Sequence, residues 1–212
     1  MGGRTVDIEG VDSNPKIIYA GTATSGIWKT VNAGTTWEPI FDSFPIATIG
    51  DLAVSQNNPD IIFVGTGEAN GRNSSPWGRG VYRSTDAGAS WDFVGLEETH
   101  AIGRVLIDPA DPDIVYVAAV GHLWATNPER GVFKSTNGGR RWEKVLFIND
   151  ETGVTDLVMD PADNRRLVAA AYERQRDAFS GGNPEKMTGP GSGIYITDDA
   201  GATWRKITRG GA

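Results

Sequence analysis

Ionisable residues recur at one position of a fourfold sequence repeat, and they are the first group able to do chemistry. When the repeats are aligned on their turns, the equivalent positions hold Asp7, Asp51, Arg104 and Asp156. Carboxylates gathered around a channel can act as acid and base when their spacing suits a glycosidic bond. An arginine among three aspartates favours ionised carboxylates over raised pKa values. The group therefore has two interpretations, a weak catalytic candidate and a salt-bridged plug.

A second group of polar and aromatic residues lies on three long segments between predicted strands, at 67–79, 121–130 and 172–191. The binding candidates there are Glu68, Arg72, Trp77, Arg79, His122, Trp124, Arg174 and Arg176, with Glu173 and Asp177 beside them. Loop side chains of these types are good functional candidates, and aromatics beside acids and arginines suit a sugar or a peptide. In the alternative interpretation Trp77 and Trp124 fill small local cores, because aromatic residues are usually buried.

The two histidines predict neither a metal site nor a nucleophilic site. The chain has no cysteine, so it offers no thiolate ligand, and His100 and His122 show no spacing to carboxylates that indicates a metal. No Ser-His-Asp arrangement is supported by the spacing either. We interpret each histidine as an ordinary loop residue and expect no metal and no cofactor.

The elements that position these residues follow from an eight-residue motif, S/T-x-D/N-x-G-x-x-W, that occurs four times. Its first copy runs from Thr30 to Trp37. The Asp or Asn can bond backbone N–H groups of its own turn, the Gly accepts a backbone angle that other residues resist, and the Trp fills space between units. These structural residues are Asn32, Gly34, Trp37, Asp86, Gly88, Trp91, Asn137, Gly139, Trp142, Asp199, Gly201 and Trp204.

Short runs of branched and aromatic residues precede each motif and predict four strands per unit. One such run, 80–83, leads into the second motif, and another, 61–64, follows the turn at Asn58-Pro59. Four strands in a repeat of about fifty residues are typical of a propeller blade. We predict an all-β fold, a β-propeller with four four-stranded blades in one domain, 1–212. The approximate blades are 3–42, 43–96, 97–147 and 148–209.

Composition and charge exclude several functions. The formal net charge of −7 argues against binding nucleic acid or an anionic membrane through a basic face. No apolar run is long enough to cross a membrane, and the segment 1–4 does not resemble a secretion signal. The 28 glycines are spread along the whole chain, which suits many strands joined by tight turns.

The four motifs resemble the Asp-box (BNR) repeats of a group of β-propellers that includes sialidases, xyloglucanase-type glycosidases and sortilin-type receptors. The runs 64–70 and 189–195 are most similar to the N-terminal blades of large bacterial sortilin-like proteins labelled glycosyl hydrolases. The resemblance implies that the turns lie on one face and that ligands approach the opposite face, which carries the long loops. It also implies a secreted, periplasmic or cell-surface protein.

The known chemistries of these relatives do not transfer residue by residue. The resemblance to xyloglucanases aligns a catalytic aspartate with Ala23, in the run from Tyr19 to Gly26. The Arg-Ile-Pro motif of sialidases is absent from the sequence. We therefore expect a non-catalytic binding or scaffolding propeller of the sortilin type that recognises peptide or glycan. The alternatives are a glycoside hydrolase, an inactive fragment of one, or a piece with no independent activity.

Four blades leave two sheet faces to be covered, because an open arc exposes apolar surface. Members of the group usually carry more blades. We expect closure of the four blades alone, a homodimer that completes a larger ring, or association with further blades.

Overall fold

The computed structural model describes residues 4–70, 75–173 and 189–207 and shows an all-β chain, as the sequence predicts. The strands form four antiparallel four-stranded sheets, each built from consecutive strands. Among the described residues no helix combines the length and the apolar character needed to cross a bilayer.

The strands follow the four sequence units in order. The first sheet contains β1 (Thr5–Gly10), β2 (Ile18–Thr22), β3 (Ile27–Thr30) and β4 (Glu38–Pro39). The second contains β5 (Ile49–Val54), β6 (Ile62–Thr66), β7 (Val81–Ser84) and β8 (Asp92–Gly95). After a 3-10 turn, Glu97–Thr99, the third contains β9 (Ile102–Ile107), β10 (Val115–Ala119), β11 (Gly131–Ser135) and β12 (Glu143–Leu146). The fourth contains β13 (Thr152–Asp160), β14 (Asp163–Glu173), β15 (Gly193–Thr197) and β16 (Arg205–Lys206).

The apolar residues of the strands meet between successive sheets, in three separate cores. The first core includes Tyr19, Leu52 and Trp91; the second Phe63, Val105 and Val117; the third Tyr116, Leu157 and Leu167. Each core therefore joins one unit to the next, as expected when a single unit cannot bury its own apolar face.

The four motifs form the turns between the third and fourth strands of each sheet. In the second turn Ser84 Oγ accepts a hydrogen bond from Gly88 N at 2.8 Å, and Asp86 Oδ1 accepts one from Ser90 N at 2.8 Å. Gly88 has a φ of +88°, a backbone angle that side chains disfavour. Hydrogen bonds of this kind occur in the other three turns. The motif residues thus satisfy the backbone of the turn from within it.

Side chains of one sheet also donate hydrogen bonds to the motif turn of the next sheet, and we call these contacts the inter-sheet latch. The Tyr19 hydroxyl and Lys29 Nζ donate to the Ala87 carbonyl at 3.3 and 2.8 Å. Tyr116 and Lys134 donate to the Ala200 carbonyl in the same way, and between them Arg83 donates to Gly138 beside the ring of Phe63. By strand register, the matching positions of the fourth sheet are Val168 and Ile196, which are aliphatic and carry no donor.

Candidate functional site

The ionisable residues of the first strands connect the four sheets in succession. Asp7 Oδ2 accepts a hydrogen bond from Leu52 N at 3.2 Å, and Asp51 Oδ2 accepts one from Val105 N at 2.7 Å. Each of these two carboxylates therefore bonds the backbone of the following sheet. The third position of the series is Arg104, which has no such acceptor to offer.

Arg104 instead bridges the aspartates on either side of it. Its NH1 lies 3.1 Å from Asp51 Oδ1, and its Nε lies 2.9 Å from Asp156 Oδ1. Both oxygens of Asp51 are thus engaged, and the residue is only 3% exposed. The Arg104–Asp156 pair and the enclosure of Asp51 favour a structural plug over an acid and base that meet substrate.

The expectation that Arg104 would keep all these carboxylates ionised is wrong for Asp51. Burial, and after it the nearby charge of Asp7, raise the pKa of Asp51 to about 8, although the Val105 N–H and Arg104 act in the opposite direction. Burial and Asp7 also raise the pKa of Glu9 to about 7. The sequence comparison missed Glu9, because only one of the four units has an acid at that position.

An open cavity of about 170 Å³ lies at the opposite end of the sheets from the motif turns, between the long segments of the second and third units. Its described lining is Glu68, Ser75, Pro76, Trp77, His100, Ala101, Gly121, His122, Leu123, Trp124 and Ala125. Four of the candidates named from the sequence, Glu68, Trp77, His122 and Trp124, therefore lie around one space.

Two tryptophans stand on the rim of this cavity with large exposed surfaces. Trp77 is 68% exposed and Trp124 is 49% exposed. Trp77 stacks on His100 with 5.8 Å between ring centroids, and His100 stacks on His122 at 3.6 Å. Indoles with this much exposed surface argue against the local-core interpretation and can stack on the flat apolar face of a ligand.

The Glu68 carboxylate in the cavity lining is paired with a residue of the first unit. Glu68 is buried and forms an ion pair with Arg4, which precedes β1. Gly67 beside it has a φ of +88° and packs against the backbone of His100, where a Cβ would collide with the His100 carbonyl. The wall of the cavity is therefore a close contact between the second and third units.

Arg130 shapes the third long segment, and sequence reasoning did not single it out. Its side chain is among the largest fully buried ones, at 1% exposure. NH1 donates to the Val120 carbonyl at 2.8 Å, and NH2 donates to the carbonyls of His122 and Ala125 at 2.6 and 2.9 Å. Burial lowers the pKa of this guanidinium. Arg130 thereby fixes the backbone from which His122 and Trp124 project.

The histidine at the centre of the ring stack has an unusual backbone. His100 follows the 3-10 turn and has a φ of +57°. Its carbonyl accepts a hydrogen bond from Gly78 N at 2.7 Å. Burial and the neighbouring His122 lower the pKa of the His100 imidazole. Interpreting His100 as an ordinary loop residue overlooked this position, because the stack joins two distant segments.

The remaining candidates lie elsewhere. Arg79 is not part of the cavity lining and forms an exposed ion pair with Glu97. Glu173 ends β14 in the fourth sheet, where Oε2 accepts a hydrogen bond from Gly191 N at 2.7 Å. Arg72, Arg174, Arg176 and Asp177 lie outside the described residues. Ala23, which takes the place of a catalytic acid in the resemblance, is buried and donates its N–H to the Arg4 carbonyl.

Known proteins similar to this chain are xyloglucanases. The xyloglucanase of Hypocrea jecorina is 23% identical over 235 residues, which cover 98% of this chain and 27% of that enzyme. A xyloglucanase of a Paenibacillus species is 25% identical over 187 residues, which cover 82% of this chain and 16% of that enzyme. The chain thus spans about a quarter or less of the curated relatives it matches.

The solved structures agree on the fold. The crystal structure of an ancestral GH74 enzyme matches with a TM-score of 0.71 at 21% identity, over 99% of this chain and 25% of that one. The four sheets are accordingly arranged like blades of a β-propeller.

These comparisons overturn the expectation of a non-catalytic binding or scaffolding propeller. The relatives found are glycoside hydrolases, so the sequence alternative of a glycoside hydrolase, or of a fragment of one, fits better.

A family match covers more than half of the chain. Residues 79–212 match Sortilin-Vps10, described as "Sortilin, neurotensin receptor 3". The matched segment starts in the long segment of the second unit, beside the cavity, and takes in the third and fourth sheets. Together with the repeated sheets, this match shows that the chain belongs to the Sortilin-Vps10 family.

Proposed function

We propose that this chain is part of a glycoside hydrolase of the xyloglucanase type, and that the cavity between the second and third units is one of its substrate subsites. The observation that carries the proposal is the pair of exposed tryptophans on the cavity rim. Trp77 and Trp124 are 68% and 49% exposed. Sugar rings present apolar C–H faces that stack on such indoles, while their hydroxyls bond polar groups nearby.

The polar groups of the cavity suit the edges of a sugar. The two imidazoles offer ring nitrogens along one wall, and the Glu68 carboxylate, paired with Arg4, adds negative charge to the same lining. Ordered backbone around Arg130 and Gly67 holds these groups in place before a ligand arrives, which lowers the ordering cost of binding. The similarity to xyloglucanases supports a β-glucan as the substrate class.

The chain supplies a subsite more readily than a whole catalytic pair. Glycoside hydrolysis by the usual mechanisms needs two carboxyl groups about 5–9.5 Å apart across the scissile bond. Among the described residues that line the cavity, Glu68 is the single carboxylate. We propose that the second one comes from the rest of a longer enzyme, since the relatives are about four times the length matched here.

In this proposal the four sheets are four Asp-box blades, and additional blades complete the ring. The exposed apolar residues of the fourth sheet, Val158, Ile194 and Ile207, support a further neighbour. Their counterparts in the second sheet, Ala53, Val81 and Val94, belong to or pack against the core shared with the third sheet.

Binding and hydrolysis of xylogluco-oligosaccharides test the proposal. The purified chain is titrated with the oligosaccharides by calorimetry, and reducing ends are measured after incubation with xyloglucan. We expect saturable binding that Trp77→Ala and Trp124→Ala each weaken at least about tenfold. Phe93→Ala is the matched control, because Phe93 is an exposed aromatic of β8 outside the cavity.

The outcomes separate cleanly. Binding with hydrolysis identifies an active enzyme, and binding without hydrolysis identifies a substrate subsite that needs the rest of the protein. A chain that neither binds nor cleaves, or binding that both tryptophan variants retain, refutes the proposal.

A further inference from the structure

Three side chains beside the cavity form a cluster with the chemistry of a metal site. Glu98, His100 and His122 each offer one ligand atom, and these atoms all lie within 4.8 Å of one another. Glu98 belongs to the 3-10 turn, His100 follows it, and His122 comes from the long segment of the third unit. The cluster thus draws its ligands from two separate parts of the chain, which are fixed by different contacts.

We propose that Glu98, His100 and His122 bind a divalent transition-metal ion, with Zn²⁺ the best match. Two imidazoles and one carboxylate are the protein ligands of many open zinc sites, at about 2.0–2.2 Å from the metal. Ions that prefer oxygen ligands, such as Mg²⁺ and Ca²⁺, fit this nitrogen-rich set poorly. The proposal does not depend on the glycoside hydrolase function.

The spacing of the ligand atoms is close to what a tetrahedral ion requires. Bonds of about 2.1 Å at tetrahedral angles place neighbouring ligand atoms about 3.4 Å apart. The present separations are at most 4.8 Å, so the ligands must close by an ångström or slightly more. The stacked imidazole rings, 3.6 Å apart and inclined by 18°, must also turn so that their lone pairs converge.

Hydrogen bonds already prepare His122 for this role. Its Nε2 lies 3.2 Å from the backbone carbonyl of Glu98. A carbonyl oxygen only accepts, so Nε2 carries the hydrogen and Nδ1 retains its lone pair. Metal-binding histidines commonly donate their other ring N–H to a carbonyl, which fixes the tautomer and the ring orientation.

The backbone on both sides of the cluster is held firmly. His100 is anchored by its carbonyl, which accepts from Gly78 N at 2.7 Å. His122 is anchored twice, because its carbonyl accepts from Arg130 NH2 and its N–H donates to Asn127 Oδ1 at 2.9 Å. The backbone therefore presents both imidazoles from anchored positions, and in this proposal the site forms by rotation of the side chains.

Three protein ligands leave a fourth coordination position, and His100 and His122 both line the cavity. That position would hold a water molecule, or a hydroxyl of a molecule bound between the tryptophans. An ion there would add positive charge to a wall that otherwise carries the Glu68 carboxylate.

Calorimetric titration of the chain, with any histidine tag removed, tests the site using ZnCl₂, MgCl₂ and CaCl₂. We expect one Zn²⁺ per chain and binding of Mg²⁺ and Ca²⁺ weaker by at least about a hundredfold. His122→Asn and Glu98→Gln should each weaken Zn²⁺ binding about 10- to 100-fold. The matched control is Glu97→Gln, which neutralises the adjacent acid and should leave the affinity within about threefold.

A second measurement covers the case in which a variant fails to fold. In the unmodified chain, Zn²⁺ should shift the ring ¹⁵N resonances of both histidines in step with the calorimetric isotherm. The proposal is overturned if Zn²⁺ does not bind in a 1:1 ratio, if Glu97→Gln weakens it as much as Glu98→Gln, or if the histidine resonances stay in place.

Discussion

Replacing Arg130 by methionine should destabilise the chain strongly, because one buried guanidinium satisfies three backbone carbonyls. NH1 bonds Val120, and NH2 bonds His122 and Ala125 at 2.6–2.9 Å. Methionine fills a similar volume but donates nothing, so all three carbonyls lose the partner that holds this segment in place.

The magnitude follows from the type of hydrogen bond. A hydrogen bond that involves a charged group contributes about 1.5–3 kcal/mol, and three at the lower value give about 4.5 kcal/mol. Removal of a buried cation recovers part of this loss, because its desolvation is no longer needed. We expect a decrease of about 3–4 kcal/mol in the free energy of unfolding, a large share of the 5–15 kcal/mol typical of a domain.

Urea denaturation followed by tryptophan fluorescence measures this decrease, since the chain has seven tryptophans. Arg141→Met is the matched control, because Arg141 is exposed on the third motif turn. Arg130→Lys should fall between the two, since one ammonium group cannot reproduce the fork of two nitrogens. If Arg130→Met lies within about 0.5 kcal/mol of the control, the role assigned to Arg130 is incorrect.

Three further predictions concern the sheets and turns. Asp51 has a pKa of about 8 in the folded state and about 3.9 in the unfolded state. The folded chain therefore holds a proton that the unfolded chain releases, so the free energy of unfolding should fall as the pH rises from about 4 to about 8. Asp51→Asn should flatten this slope in urea denaturation, and an unchanged slope would contradict the raised pKa. Hydrogen bonds lower the pKa of Asp86 and of Asp199 to about 2. The stability that these carboxylates supply should therefore disappear as the pH falls from about 4 towards 2. In thermal melts, the double variant Asp86→Asn and Asp199→Asn, with the residue found in the first and third turns, should lose less stability over this pH range than the unmodified chain. Tyr116→Phe removes one donor of the latch to Ala200 and should cost about 0.5–1.5 kcal/mol in the same denaturation assay; an unchanged free energy of unfolding would contradict a stabilising role of the latch.

The regular part of the structure was predictable because it is local and repeated. Four copies of the turn motif, each preceded by alternating apolar residues, were sufficient to predict sixteen strands in four sheets. The shared position of Trp77, His122 and Trp124 was also accessible, since loops that join the same two strands in successive units lie at the same end.

The remaining features depend on contacts between segments that no local pattern connects. Nothing in the run around Arg130 shows that its side chain turns inward to three carbonyls, because an arginine on a loop is normally solvated. The neighbourhood of Glu98 and His122 arises only when the turn before β9 meets the loop between β10 and β11. The raised pKa of Asp51 depends on its burial, and the presence of Arg104 in the sequence gives no indication of that burial.

The inter-sheet latch has a direction along the chain. In the first three units the donors reach forward to the following turn, and what they bond there is a backbone carbonyl, which any residue supplies. This hydrogen bond therefore places no demand on the residue type of the following turn, and the specificity between successive units rests on the apolar cores. The series stops at the fourth sheet, because the aliphatic side chains of Val168 and Ile196 cannot donate a hydrogen bond to a following turn.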